Sequence, residues 1–479
     1  MRKIENYVQG SWITGDGEEL VAYNAINGDE IGALSSAGLD YNAILTYGRE
    51  VGGPALRKMT FQERGLMLKA LALHLMGRKD KFYELSAATG ATRTDSWIDI
   101  EGGIGNLFAN ASLRRQFPDL PYAVEGETVP LSKGGSFIGH HILVPKRGVA
   151  VHINAFNFPI WGMLEKVAVN LLAGIPAVVK PSEYTSYLTE LMLKEIIDSG
   201  ILPDGSIQMV SGLGRGILDY VTSEDVITFT GSAHTGKKLK ALPNILENSV
   251  PFNLEADSLN ATMLGEDSGP GTAEFDLFVK STRAEITVKA GQKCTAIRRI
   301  LVPEKYMEDV QIALGKQLAK TTIGDPSVEG VRMGPLASRT QVDRVRENVE
   351  LLMKEQEVVY GDMDNFDIVG GDKEKGAFFS PILFRNDAPF EKTRVHEIEA
   401  FGPVSTLMPY KDMDEAVRIA EMGKGSLVTS ITTANDELAK EFVLNTAHMH
   451  GRILVLNERC AKESTGHGSP LPLLSHGGP

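Results

Sequence analysis

The types of three side chains in this chain match the parts that acyl chemistry at a carbonyl carbon requires. Cys294, in the run K-A-G-Q-K-C-T-A, supplies a thiol nucleophile. Glu255 ends an apolar segment, where an ionised carboxylate is costly unless it is partnered or does chemistry. Asn157, in H-I-N-A-F-N-F-P, supplies an amide that can donate to an oxyanion. A nucleophile, a base and a stabilising donor together predict an enzyme.

Several residues close to Cys294 are small. We expect Gly291 to keep side-chain bulk away from the sulfur, and Thr295 and Ala296 to leave room on its other side. A segment of this composition is too small and flexible to serve as core filling, so the thiol is predicted to be accessible to a substrate.

Each of the three chemical residues also has a role that it could play in structure alone. A buried cysteine often behaves as a small apolar side chain. The carboxylate could belong to a structural ion pair, and the asparagine could cap a helix. We favour the chemical interpretation because Asn157 and Glu255 lie at or just beyond the ends of predicted strands, where α/β proteins place their chemistry.

From Gly148 onward the sequence alternates between strand and helix patterns. Short apolar strands are predicted at 148–153, 176–180, 206–211, 226–230 and 251–255. Helices are predicted at 161–172 and 185–199. This alternation is typical of a doubly wound parallel sheet, the fold of many dinucleotide-binding domains.

A second α/β region follows. Its predicted strands are 298–303, 404–409 and 451–457, and a long helix at 274–292 is predicted to deliver Cys294. With the boundary near Asn260, the cysteine belongs to the second domain and faces a cofactor held by the first.

Three local patterns lie outside this alternation. Residues 7–20 predict a β-hairpin with glycine turns, and Thr60 with Glu63 predicts a capping box at the start of a helix. Residues 122–144 predict an excursion of two antiparallel strands, either a surface hairpin or a segment that pairs with another subunit.

Length and these patterns predict several domains, because 479 residues exceed one ordinary core. We expect a dinucleotide-binding domain at 1–121 and 145–259, a catalytic domain at 260–457, and oligomerisation or bridging segments at 122–144 and 458–479.

Composition excludes some classes of function. The formal net charge of −13 argues against a nucleic-acid-binding surface. No window approaches the roughly 18 continuous apolar residues of a membrane helix. The N-terminus lacks the apolar core of a signal peptide, so we expect a cytoplasmic protein. No metal site is predicted.

Two segments point to a dinucleotide cofactor. The F-T-G-S run ends a predicted strand and opens a helix, so Gly231, Ser232 and the helix amides could bind a pyrophosphate. Lys180 and Glu183, in V-V-K-P-S-E, follow another strand, where an adenine ribose would lie. The nearby S-G-L-G-R-G run could supply a further close backbone approach, although it is not a G-x-G-x-x-G fingerprint.

Six runs carry a resemblance to a known family: N-A-F-N-F-P, K-P-S-E, F-T-G-S, L-E-A-D, G-Q-K-C-T-A and E-A-F-G-P-V. Their order and spacing over nearly the whole chain resemble the aldehyde dehydrogenase superfamily. The resemblance implies an α/β fold with a doubly wound dinucleotide-binding domain, an α/β catalytic domain and a small β excursion for homo-oligomerisation.

The resemblance also implies roles. Cys294 would attack an aldehyde carbon, Asn157 and the Cys294 backbone N–H would hold the oxyanion, and Glu255 would activate water to release the acid. Glu399 would hold the nicotinamide ribose, with Phe401 near the ring. By motif match the cofactor site also includes Phe156, Lys180, Ser182, Glu183, Gly231 and Ser232.

Lys166 lies where the family has a lysine near the catalytic site. The alternative for this residue is a helix lysine whose stem covers apolar surface.

A closer resemblance is to the aldehyde dehydrogenase part of the bacterial phenylacetate-degradation group called PaaZ. It is carried by G-A-T-R-T-D-S-W-I-D-I-E-G-G-I-G, E-A-D-S-L-N and A-K-E-S-T-G-H-G-S-P-L-P. It implies a CoA-linked semialdehyde as substrate, of the 3-oxo-5,6-dehydrosuberyl-CoA type, and favours NADP. The alternatives are the semialdehyde dehydrogenase of the benzoyl-CoA epoxidation pathway and a CoA-acylating aldehyde dehydrogenase.

Two departures from that group affect the expectations. Glu183 replaces a smaller uncharged residue and suits ribose hydroxyls better than a 2′-phosphate, which Lys180 could still accept, so NAD remains an alternative to NADP. The resemblance also implies a glycine-rich segment and a final strand beyond L-S-H-G-G-P, followed in PaaZ by a hydratase domain.

Overall fold

The structure is a computed structural model and describes residues 1–468. The described chain divides into two compact units. The first unit comprises Met1–Tyr23, Glu30–Ser86 and Ser96–Ala256. The second comprises Asn24–Asp29, Ala87–Asp95 and the chain from Asp257 onward. The two short segments of the second unit carry no signal in the sequence, and the predicted domain roles stay predictions.

The main sheet of the first unit has, within residues 1–468, seven strands. In spatial order they are Phe252–Glu255, Val226–Thr230, Ala150–Ile153, Ala177–Lys180, Ile207–Met209, Asn6–Val8 and Ser11–Ile13. The first five are parallel, which confirms the predicted parallel sheet. The last two form the predicted N-terminal hairpin and join the sheet in antiparallel fashion.

Helices cover this sheet, and its central strands Ala150–Ile153, Ala177–Lys180 and Ile207–Met209 are buried along nearly their whole length. The helices of the first unit are Tyr41–Tyr47, Gly53–Lys58, Phe61–Met76, Asp80–Ser86, Gly103–Leu113, Pro159–Leu172, Ser186–Asp198, Ala233–Lys240 and Pro243–Glu247. The predicted capping box is present at Phe61–Met76, where Thr60 and Glu63 exchange hydrogen bonds. A core that includes Val149, Val151, Val178 and Ile227 lies between sheet and helices.

Two smaller sheets complete the first unit. Glu30–Leu34 pairs with Lys3–Ile4 and with Leu20–Tyr23. Ala123–Pro130 and Ile138–Leu143 form the predicted antiparallel pair. This hairpin presents a row of exposed apolar side chains, among them Val124, Val129, Ile138 and Ile142.

The second unit contains another sheet with seven strands inside the described range. In spatial order they are Glu357–Tyr360, Ile382–Arg385, Val404–Tyr410, Arg299–Pro303, Ala261–Leu264, Ser426–Thr432 and His450–Leu456. Its helices are Ala273–Thr287, Met307–Leu318, Arg339–Leu352, Met413–Glu421 and Asp436–Thr446, and the short helix Arg93–Trp97 crosses a unit boundary.

The helix that was predicted to run to residue 292 is wrong in its last turn. The α-helix ends at Thr287, and Lys289 and Ala290 both adopt positive φ of 51°. The cause is a pair of contacts that the local sequence does not reveal: the backbone N–H of Lys289 donates to Asp95 Oδ1 at 2.8 Å, and Lys289 Nζ donates to the Thr89 carbonyl at 2.8 Å. A strained backbone segment at Lys289 and Ala290 therefore separates Cys294 from the helix, so Cys294 does not lie at a helix end.

None of the helices found within residues 1–468 is long and apolar enough to cross a membrane.

Candidate active site and cofactor site

Parallel register brings several predicted residues of the first unit to one edge of its main sheet. Ile153 pairs with Lys180 and with Phe229, and Thr230 pairs with Glu255. The carboxyl ends of these four strands therefore lie side by side, and the residues that follow them share that edge. This is where open α/β sheets bind their ligands.

Glu255 is buried at this edge, with 8% of its surface exposed. The Thr230 hydroxyl donates to Glu255 Oε2 at 3.3 Å, and the Glu255 carbonyl accepts from the Gly231 N–H at 3.1 Å. Each oxygen of a carboxylate has two lone pairs, so it can accept more than one hydrogen bond. The arrangement suits a base that must orient a water molecule.

Asn157 is buried in the loop ahead of helix Pro159–Leu172. The N-cap residue of that helix is Phe158, so the alternative in which Asn157 is its cap is not what the structure contains. Instead, Asp99 Oδ1 accepts from the backbone N–H groups of Ile160 and Trp161 at 3.0 and 2.7 Å. Asp99 thereby fixes the start of the helix and the loop that carries Asn157.

Lys166 lies on the same helix. Its Nζ is 2.8 Å from Glu165 Oε1 and 3.4 Å from the Gly162 carbonyl. The side chain is mostly buried against its own helix, which is compatible with either of its predicted roles.

Lys180 ends its strand with 8% of its surface exposed. Burial lowers the pKa of its ammonium, and the Glu183 carboxylate, 3.6 Å away, opposes that shift. An ion pair this long in partly exposed surroundings leaves both groups able to bind other partners. Ser182 is buried beside them.

Phe156 and Ser232, two further residues of the predicted cofactor site, each have defined contacts. The Phe156 ring stacks edge-on with Tyr184, with centroids 6.1 Å apart, and its carbonyl accepts from Thr185 Oγ1 at 3.3 Å. Ser232 is the N-cap of Ala233–Lys240 and accepts from the Thr235 N–H at 3.3 Å. Ser232 therefore stands at the start of a helix, the kind of position at which proteins bind anions.

Two residues that sequence reasoning missed belong to the same edge. Asn154 follows strand Ala150–Ile153 and is 5% exposed, yet among the residues that the structure describes neither of its side-chain amide atoms has a hydrogen-bond partner. Buried polar atoms of this kind call for a ligand or water. The exposed Arg215 lines a cavity of about 220 Å³ together with Ser36 and Gly212. An unpartnered amide and a surface cation fit the hydroxyls and phosphates of a dinucleotide.

In the second unit, Cys294 lies in a turn whose carbonyls are held. Asn260 Nδ2 donates to the Cys294 carbonyl at 2.8 Å and to the Ala296 carbonyl at 2.9 Å. The Ala296 N–H donates back to the Lys293 carbonyl at 3.0 Å. The orientation of the peptide groups around the thiol is thus fixed by the protein.

The structure gives Gly291 a role that the sequence does not reveal. Gly291 has φ +68°, and a Cβ at this position would overlap the carbonyl oxygen of Gly402. Close packing of two backbone segments therefore requires a glycine at this position.

Glu399 and Phe401 are brought together by Arg298, another residue that sequence reasoning missed. Arg298 Nε donates to Glu399 Oε1 at 3.0 Å, and its Cζ lies 5.5 Å from the centre of the Phe401 ring. Burial raises the pKa of Glu399 to about 7, and the charge of Asp257 adds to this, while Arg298 and the Ser258 N–H oppose it. The sequence did contain a signal for Arg298: two successive arginines, Arg298 and Arg299, stand at the start of a buried strand.

Inside the described range, no group of three or more His, Cys, Asp and Glu side chains is arranged to hold a metal ion.

Comparisons with known proteins agree on one family. The model of the Aldehyde dehydrogenase family matches residues 12–464. The 3,4-dehydroadipyl-CoA semialdehyde dehydrogenase of Aromatoleum evansii is 41% identical over 478 residues, covering 100% of this chain and 93% of that protein. Protein MaoC of Klebsiella aerogenes is 48% identical over 150 residues, which are 31% of this chain and 42% of that protein.

A solved structure has the same fold. A variant of betaine aldehyde dehydrogenase from Staphylococcus aureus, in complex with NAD⁺, superposes with a TM-score of 0.84 at 22% identity, covering 95% of this chain and 89% of that one. The predicted fold class is confirmed.

Proposed function

The chain belongs to the aldehyde dehydrogenase family and is an NAD(P)-dependent aldehyde dehydrogenase, and we propose that its substrate is a coenzyme A-linked semialdehyde, which it converts to the carboxylic acid. One observation carries this proposal: the similarity to the Aromatoleum evansii enzyme extends over the whole chain, and that enzyme is named for a CoA semialdehyde.

The proposed chemistry uses the three residues that first marked the chain as an enzyme. The Cys294 thiolate adds to the aldehyde carbon and forms a thiohemiacetal, while Asn157 and the Cys294 N–H donate to the oxyanion. The bound nicotinamide supplies the hydride acceptor. Loss of hydride from the thiohemiacetal leaves a thioester on Cys294. Glu255 then takes a proton from water, whose oxygen attacks the thioester, and the acid leaves as the thiol is restored.

Hydrolysis is favoured over transfer of the acyl group to CoA because of Glu255. A CoA-acylating route needs no base to activate water, whereas this chain keeps a buried carboxylate, that of Glu255, at the edge of the sheet. We therefore propose a free acid as the product and keep acyl transfer as the alternative that isotope labelling separates.

The residues present fit a nicotinamide dinucleotide. Lys180, Glu183 and the unpartnered Asn154 would bind hydroxyl or phosphate groups of the adenosine half, and the first turn capped by Ser232 would bind the pyrophosphate. Glu399 would hold the nicotinamide ribose. We propose NADP as the preferred cofactor because Lys180 is buried and Arg215 offers a second cation nearby on the same edge, although Glu183 opposes a 2′-phosphate.

Two substrates are candidates within the class. The PaaZ-like runs favour 3-oxo-5,6-dehydrosuberyl-CoA semialdehyde, and the similarity over the whole chain favours 3,4-dehydroadipyl-CoA semialdehyde. Both carry the same CoA group and differ in the acyl chain, so the two compounds form a direct pair for comparison.

We also propose that the enzyme is a homo-oligomer assembled through the hairpin Ala123–Pro130 and Ile138–Leu143. Its exposed apolar side chains and unpaired strand edges are features that natural sheets cover by pairing. The predicted role of 458–479 falls partly on residues 469–479, outside the described residues.

The substrate proposal is tested by kcat/KM for each CoA semialdehyde against the same semialdehyde lacking CoA, with NAD and NADP, in ¹⁸O-labelled water. We expect labelled free acid and a preference for the CoA-linked aldehyde that weakens with rising salt, since the CoA phosphates are screened. Equal kcat/KM for the CoA-linked and truncated aldehydes would contradict the CoA assignment, and an acyl-CoA product would contradict hydrolysis.

A further inference from the structure

A buried cluster of charged and polar side chains lies next to the nucleophile turn in the second unit. It consists of Glu285 on helix Ala273–Thr287, Lys293 immediately before Cys294, and His467 in the T-G-H-G run. Lys293 Nζ is 2.5 Å from Glu285 Oε2, and the His467 backbone N–H donates to Glu285 Oε1 at 3.1 Å. The carboxylate therefore ties the residue before the cysteine to a segment far along the chain.

The imidazole of His467 holds the residue on the other side of the cysteine. Its Nδ1 lies 3.1 Å from the Thr295 carbonyl, and its Nε2 lies 2.7 Å from Ser430 Oγ on strand Ser426–Thr432. Burial lowers the pKa of His467 to about 4, so the ring is neutral near pH 7. A carbonyl can only accept, so Nδ1 carries the hydrogen of the neutral ring and donates to Thr295, while Nε2, without a hydrogen, lies against Ser430 Oγ.

The backbone conformation just before His467 allows the hydrogen bond from the His467 N–H to Glu285. Gly466 has φ +73°, and a Cβ there would lie 2.6 Å from Glu285 Oε1. Only glycine lets the chain pass close enough for the His467 N–H to reach the carboxylate.

With these contacts, three successive carbonyls of the nucleophile turn each accept a hydrogen bond. Asn260 bonds to those of Cys294 and Ala296, and His467 bonds to that of Thr295. Because peptide groups are planar, fixing these carbonyls fixes the orientation of the amides in the turn. Without the imidazole, the middle of the turn would lose its bond to a neighbouring segment.

We propose that His467 is a positioning residue for Cys294: through Thr295 and Glu285 it holds the turn of residues 293–296 so that the thiol keeps its reactive orientation. This inference rests on the proposed role of Cys294 as nucleophile. His467 itself touches neither substrate nor cofactor in this account.

The experiment compares two amide replacements that differ in reach. In His467→Asn the amide nitrogen falls near the position of Nδ1 and can still donate to Thr295. In His467→Gln it falls near Nε2, so the bond to Thr295 is lost while that to Ser430 can persist. We measure alkylation of Cys294 by iodoacetamide, assigned by mass spectrometry, over pH 6–10. Cys460, the chain's other cysteine, is the internal control.

We expect His467→Gln to lower the Cys294 alkylation rate and kcat about tenfold, with unchanged KM for the aldehyde and unchanged alkylation of Cys460, and His467→Asn to stay within about threefold of wild type. Equal behaviour of the two variants, or wild-type alkylation in both, would overturn the inference.

If both histidine variants fail to fold, Ser430→Ala tests the same point, because it releases the ring without changing it. A drop in the Cys294 alkylation rate of about threefold supports the inference, and an unchanged rate overturns it. Alkylation does not depend on aldehyde turnover, so this result is separate from the proposed function. Failure of that function would appear as retained aldehyde oxidation in Cys294→Ala.

Discussion

The Arg298 guanidinium and the Glu399 carboxylate form a buried ion pair, with Nε 3.0 Å from Oε1 and 4% of each side chain exposed. The same guanidinium donates to the carbonyls of Gly402 and Gly291 at 2.7 and 2.8 Å. Arg298 thus joins the segment that carries the proposed ribose ligand to the segment that precedes the proposed nucleophile, Cys294.

Replacing Arg298 by methionine should destabilise the fold strongly, since it leaves Glu399 buried without its cation. We expect a loss of about 3 kcal/mol in the free energy of unfolding, measured by urea denaturation. The double variant Arg298→Met with Glu399→Gln should recover part of that loss. If the double variant loses as much as the sum of the two single variants, the two residues are not coupled.

Cofactor binding should weaken below neutral pH. Burial raises the pKa of Glu399 to about 7, so the carboxylate that would accept from the ribose hydroxyls becomes protonated as pH falls through that value. We expect the Kd for the reduced cofactor to rise by up to about tenfold per pH unit below pH 7. Fluorescence titration measures this, and Glu399→Gln should flatten the profile. The same slope in that variant would assign the titration to another group.

Cofactor preference should respond to the Lys180–Glu183 pair. Glu183→Thr removes like-charge repulsion with a 2′-phosphate and should raise the NADP-to-NAD ratio of kcat/KM about tenfold, whereas Lys180→Ala should lower it by a similar factor. Lys81→Ala, which breaks the ion pair with Glu195 at 2.6 Å, is the matched control. An unchanged ratio in both test variants would mean that the phosphate is read elsewhere.

Acid should destabilise the first unit through His152. Burial lowers the pKa of His152 to about 4, and its ring nitrogens lie 2.7 Å from Thr228 Oγ1 and 2.7 Å from Asn170 Oδ1. The unfolded histidine takes up a proton near pH 6.5, whereas the folded one resists until about pH 4. This contribution to stability is therefore lost as pH falls from 6.5 to 4, at about 1.4 kcal/mol per pH unit.

His152→Gln should reduce the slope of unfolding free energy against pH by that amount in this range. His140→Gln, on the exposed hairpin, is the control. Identical slopes for wild type and His152→Gln would show that the folded histidine titrates normally.

The sequence predicts the first unit better than the second, for a physical reason. The parallel strands of the first unit are short apolar runs between helices, and their pattern is local. Strand Ser426–Thr432 was missed because it is fully buried yet rich in hydroxyls. The hydroxyls of Thr429 and Ser430 bond to Ala261 and Thr262 on the adjacent strand, which only the folded chain supplies.

The residues of the candidate site also differ in how far the sequence reveals them. Cys294, Glu255 and Asn157 could be picked out because their types are unusual in their local segments. The residues that position parts of the site could not be picked out in this way. Asp99, Asn260 and Arg298 each bind a partner that is distant in sequence. Asn154 could be noticed only once burial and its missing partner were known.

The most direct test of the account is a single-turnover experiment on Glu255→Gln with a CoA-linked semialdehyde and NADP. Because this variant lacks the proposed base and keeps the proposed nucleophile, we expect a burst of about one reduced cofactor per subunit and a collapse of steady-state turnover. The mass spectrum of the quenched protein should show an acyl group on Cys294. Cys294→Ala should give no burst and no adduct. Normal turnover of Glu255→Gln, or a burst that leaves Cys294 unmodified, would contradict the proposed mechanism.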